Sequence, residues 1–422
     1  MARSSLRNRA HVFVPGALFA ILFAASIWAS CSGGGGATRI PDDKPWSTRI
    51  AESFLLRHPA AVTYDSGSPD QKWNYEQGLM LVALHRMSLH SGEGKYFDFV
   101  RMNLDHYVEE NGSIRTYNLG DYNLDNVGPG RALLAVYQAT KRSSYRAAAD
   151  TLRRQLREQP RTHEGGFWHK KIYPHQMWLD GLFMAEPFYA WYAVLFGEKE
   201  ALDDVANQFT WIARHTRDPR TGLFYHGWDE SRQQRWANAK TGCSPHFWGR
   251  AMGWYTMALV DVLEYYPAGD SRRTELITIL QQLCDAVLKV RDEKTHLWYQ
   301  VVDQGNREGN YFEASASCMF AYAFAKGANH GYLDGTFLAE AQQSFRGVVE
   351  HLVTVDAQGF VDLHGTCRGA GLGGNPYRDG SFEYYISEPR RTNDMKGLGP
   401  FLLAAIELEQ GTAGKTLSEG TR

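Results

Sequence analysis

Apolar residues return every three or four positions along most of the chain, the spacing of helices that each bury one face. Trp46, Ile50 and Phe54 mark a first helix that stops ahead of Pro59. Phe97, Val100, Leu104 and Tyr107 mark another, which ends at Asn111 and Gly112. Leu133, Val136 and Tyr137 mark a third, and Tyr145, Leu152 and Leu156 a fourth. The same periodicity predicts helices near 74–90, 180–196, 199–215, 247–266, 271–291, 313–327, 336–353 and 394–409, about twelve in all. After alternate helices a turn residue leads into a few β-prone ones: NGSIRTY at 111–117, EGGFWHK at 164–170, TGLFYHG at 221–227, THLWYQV at 295–301 and QGFVDLH at 358–364. Helical hairpins bury their apolar faces by stacking, and twelve helices in pairs close into two concentric rings. The expectation is an all-α chain, an (α/α)6 barrel with short strand-turn elements shaping a pocket at one end; an open solenoid fits the same pattern.

The ends read differently. Arg3, Arg7 and Arg9 precede an apolar run from Val12 to Trp28, and Ala29 and Ser30 then lead to Cys31, Ser32 and four glycines. Residues 1–30 are expected to be a signal peptide and 31–41 a glycine-rich tether. The junction resembles a bacterial lipoprotein processing site, in which Cys31 carries the lipid and exports the protein to the periplasm or outer membrane. Ordinary signal cleavage is the alternative, because Trp28 stands where an aliphatic residue is usual. Residues 42–412 are expected to be one catalytic domain and 413–422 a flexible tail.

Of 422 residues, 45 are Lys or Arg and 47 are Asp or Glu. The near balance leaves no basic stripe for nucleic acid, so the membrane would be met only through a lipid. Twelve Trp and 22 Tyr offer flat apolar faces with polar edges, the usual lining of a sugar site. Cys243, Cys284, Cys318 and Cys367 lack metal-ligand spacing, and HExxH, Walker, dinucleotide and GxSxG patterns are missing. No metal or cofactor is expected, and acid–base chemistry by carboxylates remains.

Four clusters set polar groups among aromatics. Trp73 and Gln77 lie in KWNYEQG, and Asp125 in YNLDNVGPG, where a helix cap is the alternative. His169, Tyr173 and His175 lead into WLDGLFM, where Asp180 sits in an apolar run; it too could simply cap a helix. Arg250 and Trp254, four apart in SPHFWGRAMGWY, share a helical face. A guanidinium beside an indole suits a sugar carboxylate; an arginine buried against an internal acid is the other reading.

The stretches NLDNVGPG, HQMWLDGLFMAEPF, TGCSPHFWGRAMGW and NDMKGLGPFLLA, in this order, resemble the unsaturated rhamnogalacturonyl hydrolases of glycoside hydrolase family 105. The related unsaturated glucuronyl hydrolases of family 88 share the barrel and the paired aspartates. The resemblance implies a substrate made by a polysaccharide lyase, with a 4,5-unsaturated galacturonic acid at its non-reducing end. Asp180 matches the acid/base that protonates C4 and helps water add at C5, and Asp125 matches its partner. It places His169, Tyr173, Arg250 and Trp254 at the substrate; Met252 stands where an asparagine is more usual. Two other functions are weighed: an unsaturated glucuronyl hydrolase on glycosaminoglycan-like products, and a glycan-binding lipoprotein without catalysis.

Overall fold

A computed structural model describes residues 39–62 and 72–419. The expected signal peptide, Cys31 and most of the expected tether lie outside the described residues. Thirteen α-helices, α1 to α13 in chain order, occur among them. Six form an outer layer: α1 (Trp46–Arg57), α3 (Gly94–Tyr107), α5 (Ser143–Glu158), α7 (Ala201–Thr216), α9 (Ser271–Leu288) and α11 (Thr336–Leu352). Six form an inner ring: α2 (Tyr75–Ser91), α4 (Gly130–Thr140), α6 (Leu179–Phe196), α8 (Gly249–Val262), α10 (Ala314–Asn329) and α13 (Met395–Glu419). Each inner helix packs on the next, and α13 packs back on α2, so the ring closes. The barrel predicted from the helical repeat is present, and the open solenoid is not.

The two layers follow from composition. Outer helices are amphipathic: in α5, Tyr145, Ala148, Ala149, Leu152 and Leu156 are buried, while Arg146, Arg154 and Arg157 occupy other faces. Inner helices are mostly apolar, as a helix enclosed on nearly every side tends to be; α8 is buried at every position, with its two charges, Arg250 and Asp261, paired inside. Where α2 meets the turn before α4, a side chain at Gly78 would lie 2.6 Å from the Pro129 backbone, so only glycine allows that approach.

Connections from an inner to the next outer helix are short, whereas those from outer to inner are long. All long connections therefore gather at the end where the inner helices begin. They carry the short pairings expected from sequence: Val108 with Ile114, Arg161 with Phe167, Arg217 with Phe224, and Tyr299 with Phe312. The fifth is a hairpin of β3 (Val353–Val355) and β4 (Val361–Leu363). Ahead of these in the chain, β1 (Gln176–Trp178) pairs antiparallel with β2 (Gly227–Asp229). After them, β5 (Thr366–Cys367) pairs with β6 (Arg390–Arg391), closing a segment that holds the short helix α12 (Phe382–Ser387). That helix has no counterpart in the periodicity because six residues are too few to show it. The last helix, α13, is assigned as Met395–Glu419. All four described cysteines are free and buried.

Glu186 is buried within α6, and its Oε2 has no hydrogen-bond partner. Burial, helped by the Asp204 charge, holds this carboxyl well above its ordinary range. The native state thus keeps a proton that the unfolded chain releases, and stability falls as pH rises above about 4.5. Glu186→Gln is expected to raise Tm by a few degrees at pH 7. The gain should disappear below about pH 4, where both states of the wild type are protonated; differential scanning calorimetry across pH checks it.

Candidate active site

At the end of the barrel where the inner helices start, a cleft of about 770 Å³ opens between two walls. One wall comes from Tyr75 and residues 125–184, the other from residues 368–388.

The first wall is built by backbone pairing. Asn123 pairs with Lys170, and the Leu124 and Lys171 amides donate to the His169 and Tyr122 carbonyls. This zipper sets Asp125 beside Lys170, whose Nζ is 2.5 Å from Oδ2, and beside His169, whose Nε2 is 3.6 Å from Oδ1. Burial alone would raise the Asp125 carboxyl, but the Lys170 ammonium and His169 outweigh it and hold it below its ordinary range. Burial pushes His169 down to about 4, so it is neutral at pH 7. Its ring stacks on Trp178 at 4.6 Å, and Tyr173 stacks on the same indole at 4.9 Å.

Asp180 occupies the first turn of α6, where the helix dipole favours an anion. Pairing of β1 with β2 ends at Trp178 opposite Gly227, and the Leu179 amide donates to the His226 carbonyl. That register brings His226 Nε2 to 3.1 Å from Asp180 Oδ2, close but out of hydrogen-bonding alignment. The other ring nitrogen, Nδ1, lies 2.9 Å from the Tyr385 hydroxyl. Gly181 leaves the space beside the acid open: a Cβ there would sit tightly, 3.2 Å from His169 Nδ1.

The second wall contributes Arg378, whose Nε donates to the Gly373 carbonyl and Nη2 to the Tyr173 hydroxyl at 2.8 Å. Its guanidinium carbon sits 5.7 Å from the Tyr173 ring and 6.0 Å from Trp178. The floor therefore sets two carboxylates and two cations around a stacked aromatic platform, an arrangement suited to an anionic sugar ring.

Of the residues singled out from sequence, Asp125, His169, Tyr173 and Asp180 line this cleft together. Five others do not. Trp73 is buried, its Nε1 donating to the Asn126 carbonyl, so it braces the Asp125 turn from behind. Gln77 is buried in α2, and its amide is capped by Asn74. His175 has a positive φ of 63° that turns its ring onto Trp168, with Glu230 3.7 Å from Nδ1. Trp254 lies underneath, against Phe183 at 4.6 Å and the edge of Tyr75. Arg250 is buried 3.4 Å from Glu313, with the Cys367 carbonyl as a further acceptor, which is the internal-acid alternative. Arg250→Leu would strand Glu313 in the interior. It is expected to cost about 3–5 kcal/mol of stability. Thermal denaturation checks this, and a KM change at unaltered Tm would overturn it.

Lys170, Trp178, His226 and Arg378 were not singled out from sequence. Lys170 adjoins His169 and His226 lies in TGLFYHG, so both were within reach of the motifs; Arg378 belongs to an irregular loop without a periodic signal.

Comparison with known proteins gives three kinds of match. Residues 46–412 match the model of Glycosyl Hydrolase Family 88. The structure of a glycoside hydrolase from family 105 of C. acetobutylicum ATCC 824 is similar, with TM-score 0.83 and 43% identity over 87% of this chain and 100% of that one. The 24.9 kDa protein in the picA locus of Rhizobium radiobacter is 41% identical over 53% of this chain and 97% of its own length. The unsaturated rhamnogalacturonyl hydrolase YesR of Bacillus subtilis is 24% identical over 60% of this chain and 70% of its own.

Proposed function

We propose, for a chain that belongs to Glycosyl Hydrolase Family 88 and is a glycosidase, that it removes a 4,5-unsaturated galacturonic acid from the non-reducing end of rhamnogalacturonan-derived oligosaccharides. The observation that carries this reading is the meeting of Asp180 and Asp125 in one cleft, over the Trp178–Tyr173 platform and beside Lys170 and Arg378. The unsaturated ring lies against Tyr173, the partly exposed member of that stack, with its carboxylate toward Arg378 and Lys170. The Asp180 carboxyl gives its proton to C4 of the enol ether. As a carboxylate it then takes a proton from the water that adds to C5. The resulting hemiketal opens at its ring oxygen, and the C1 acetal, now a hemiacetal, releases the neighbouring sugar. Nothing attacks C1 directly, so the carboxylate-spacing rule for retention and inversion does not apply. His226 positions the Asp180 carboxyl, and Lys170 keeps Asp125 ionised as a fixed acceptor for a sugar hydroxyl.

A panel of lyase-derived disaccharides tests the substrate. Loss of the enol-ether absorbance on unsaturated galacturonyl-rhamnose, with little on glucuronyl substrates, supports the reading; the reverse order makes the chain an unsaturated glucuronyl hydrolase. Arg378→Leu is expected to raise KM roughly 10- to 150-fold, because a hydrogen bond to a charged group is worth about 1.5–3 kcal/mol. Steady-state kinetics at matched Tm checks it. Export with a lipid on Cys31 belongs to the same proposal: Cys31→Ser should move the protein from the membrane fraction to the soluble one.

A further inference from the structure

The cleft is graded in depth. Asp125, His169, Trp178 and Asp180 are buried or nearly so, whereas Arg368, Gly374, Asn375 and Pro376 are exposed. A terminal ring seated over Asp180 therefore leaves its neighbour at the rim. Every exposed residue that lines the cleft comes from the segment between β5 and β6. The pairing of those strands brings the two ends of the segment together, and the Arg368 amide donates to the Pro389 carbonyl at 2.7 Å. That join fixes Arg368 and Glu388 side by side at the mouth, with Nη2 3.4 Å from Oε2.

This ion pair is a poor stabilising device. The Arg368 side chain is 51% exposed and the Glu388 side chain 13%, and the two meet in one long contact, so the pair adds little stability. It does place a hydrogen-bond acceptor next to a donor, with no net charge between them. On the floor Lys170 is paired with Asp125, whereas Arg378 donates to carbonyls and to the Tyr173 hydroxyl, which leaves its charge for an anion. The rim has a cation cancelled by a carboxylate, which would repel a second one.

Building on the proposed function, we propose that Arg368 and Glu388 form the subsite for the leaving sugar and select a neutral, hydroxyl-bearing residue over an anionic one. Glu388 accepts from one hydroxyl of that sugar and Arg368 donates to its neighbour. The unsaturated ring itself owes nothing to the pair, because Asp125, Tyr173, Asp180 and Arg378 hold it.

Three substrates sharing the same unsaturated ring separate these contributions: the rhamnose disaccharide, the galacturonate disaccharide and the methyl glycoside. The wild type should favour the neutral disaccharide over the acidic one. Glu388→Ala should lower kcat/KM on the rhamnose disaccharide by about ten-fold or more, leave the methyl glycoside within about two-fold, and narrow the penalty on the acidic disaccharide. Arg368→Ala should also spare the methyl glycoside while weakening both disaccharides. Equal losses on disaccharide and methyl glycoside, or no loss on either at unchanged Tm, would overturn the subsite. A wild type that turns over none of the three would instead remove the proposed function on which it rests.

Discussion

Asp180→Asn is expected to abolish measurable turnover while leaving the barrel folded and the cleft able to bind. Asparagine has nearly the same shape, so the first turn of α6 and the contact with His226 are kept. What it cannot do is carry a labile proton. General acid–base catalysis by one group contributes about 10²- to 10⁴-fold. Here the same carboxyl serves first as acid and then as base, which puts the loss at the upper end or beyond. Enol-ether absorbance measures turnover, and calorimetric titration with the disaccharide measures binding. Asp125→Asn is a useful contrast. It removes the partner of Lys170, whose Nζ is 2.5 Å away and mostly buried, so binding and positioning should suffer together with rate. A pure rate effect at Asp180 and a mixed one at Asp125 would separate the two carboxylates.

The second large effect is expected far from the site. Asp261, at the closing end of α8, is buried with Arg131 Nη1 at 2.8 Å and Lys326 Nζ at 2.6 Å, and accepts from the Tyr322 hydroxyl. Lys326 also reaches Glu264, which pairs with Arg86. These charges join the last turns of α8 and α10 and the later part of α2 to Arg131 in the first turn of α4. Burial by itself would raise the Asp261 carboxyl, but Arg131 and Lys326 overcome it and hold the group well below its ordinary range. Asp261→Asn leaves two buried cations short of a partner, at a cost of about 3–5 kcal/mol. A Tm decrease on the order of 5–10 °C follows. Because the folded value is depressed, the contribution is complete above the unfolded carboxyl value of about 4 and is lost as pH falls below it. The gap between wild type and Asp261→Asn should therefore close on acidification, in calorimetry run between neutral and strongly acidic pH.

The barrel was readable from the chain because its two layers have different compositions. A helix such as α6, apolar on every side, has nowhere to sit but inside, and α5, with one apolar face, must cover something. The site was readable only where the residues lie close to each other along the chain. Asp180, His169 and Tyr173 fall within twelve positions of one another, and one zipper brings Asp125 to them. Arg250 and Trp254 do share a face of α8, but spacing cannot say that this face meets Glu313 and Phe183 rather than the cleft. His175 follows Pro174 by one residue and flips out on a positive φ, which no pattern of residue types reveals. His226 lies in an aromatic motif, but only strand register turns it to Asp180, and Arg378 meets Tyr173 from 205 positions away, a pairing that leaves no local mark.

The central claim is that the double bond is hydrated and that C1 is not attacked, and the reaction run in D₂O tests it most directly. The expected product is an opened keto acid carrying one new deuterium at C4, with the enol-ether absorbance lost in step with release of the neighbouring sugar. Release of that sugar with the double bond intact and no deuterium at C4 would contradict the claim.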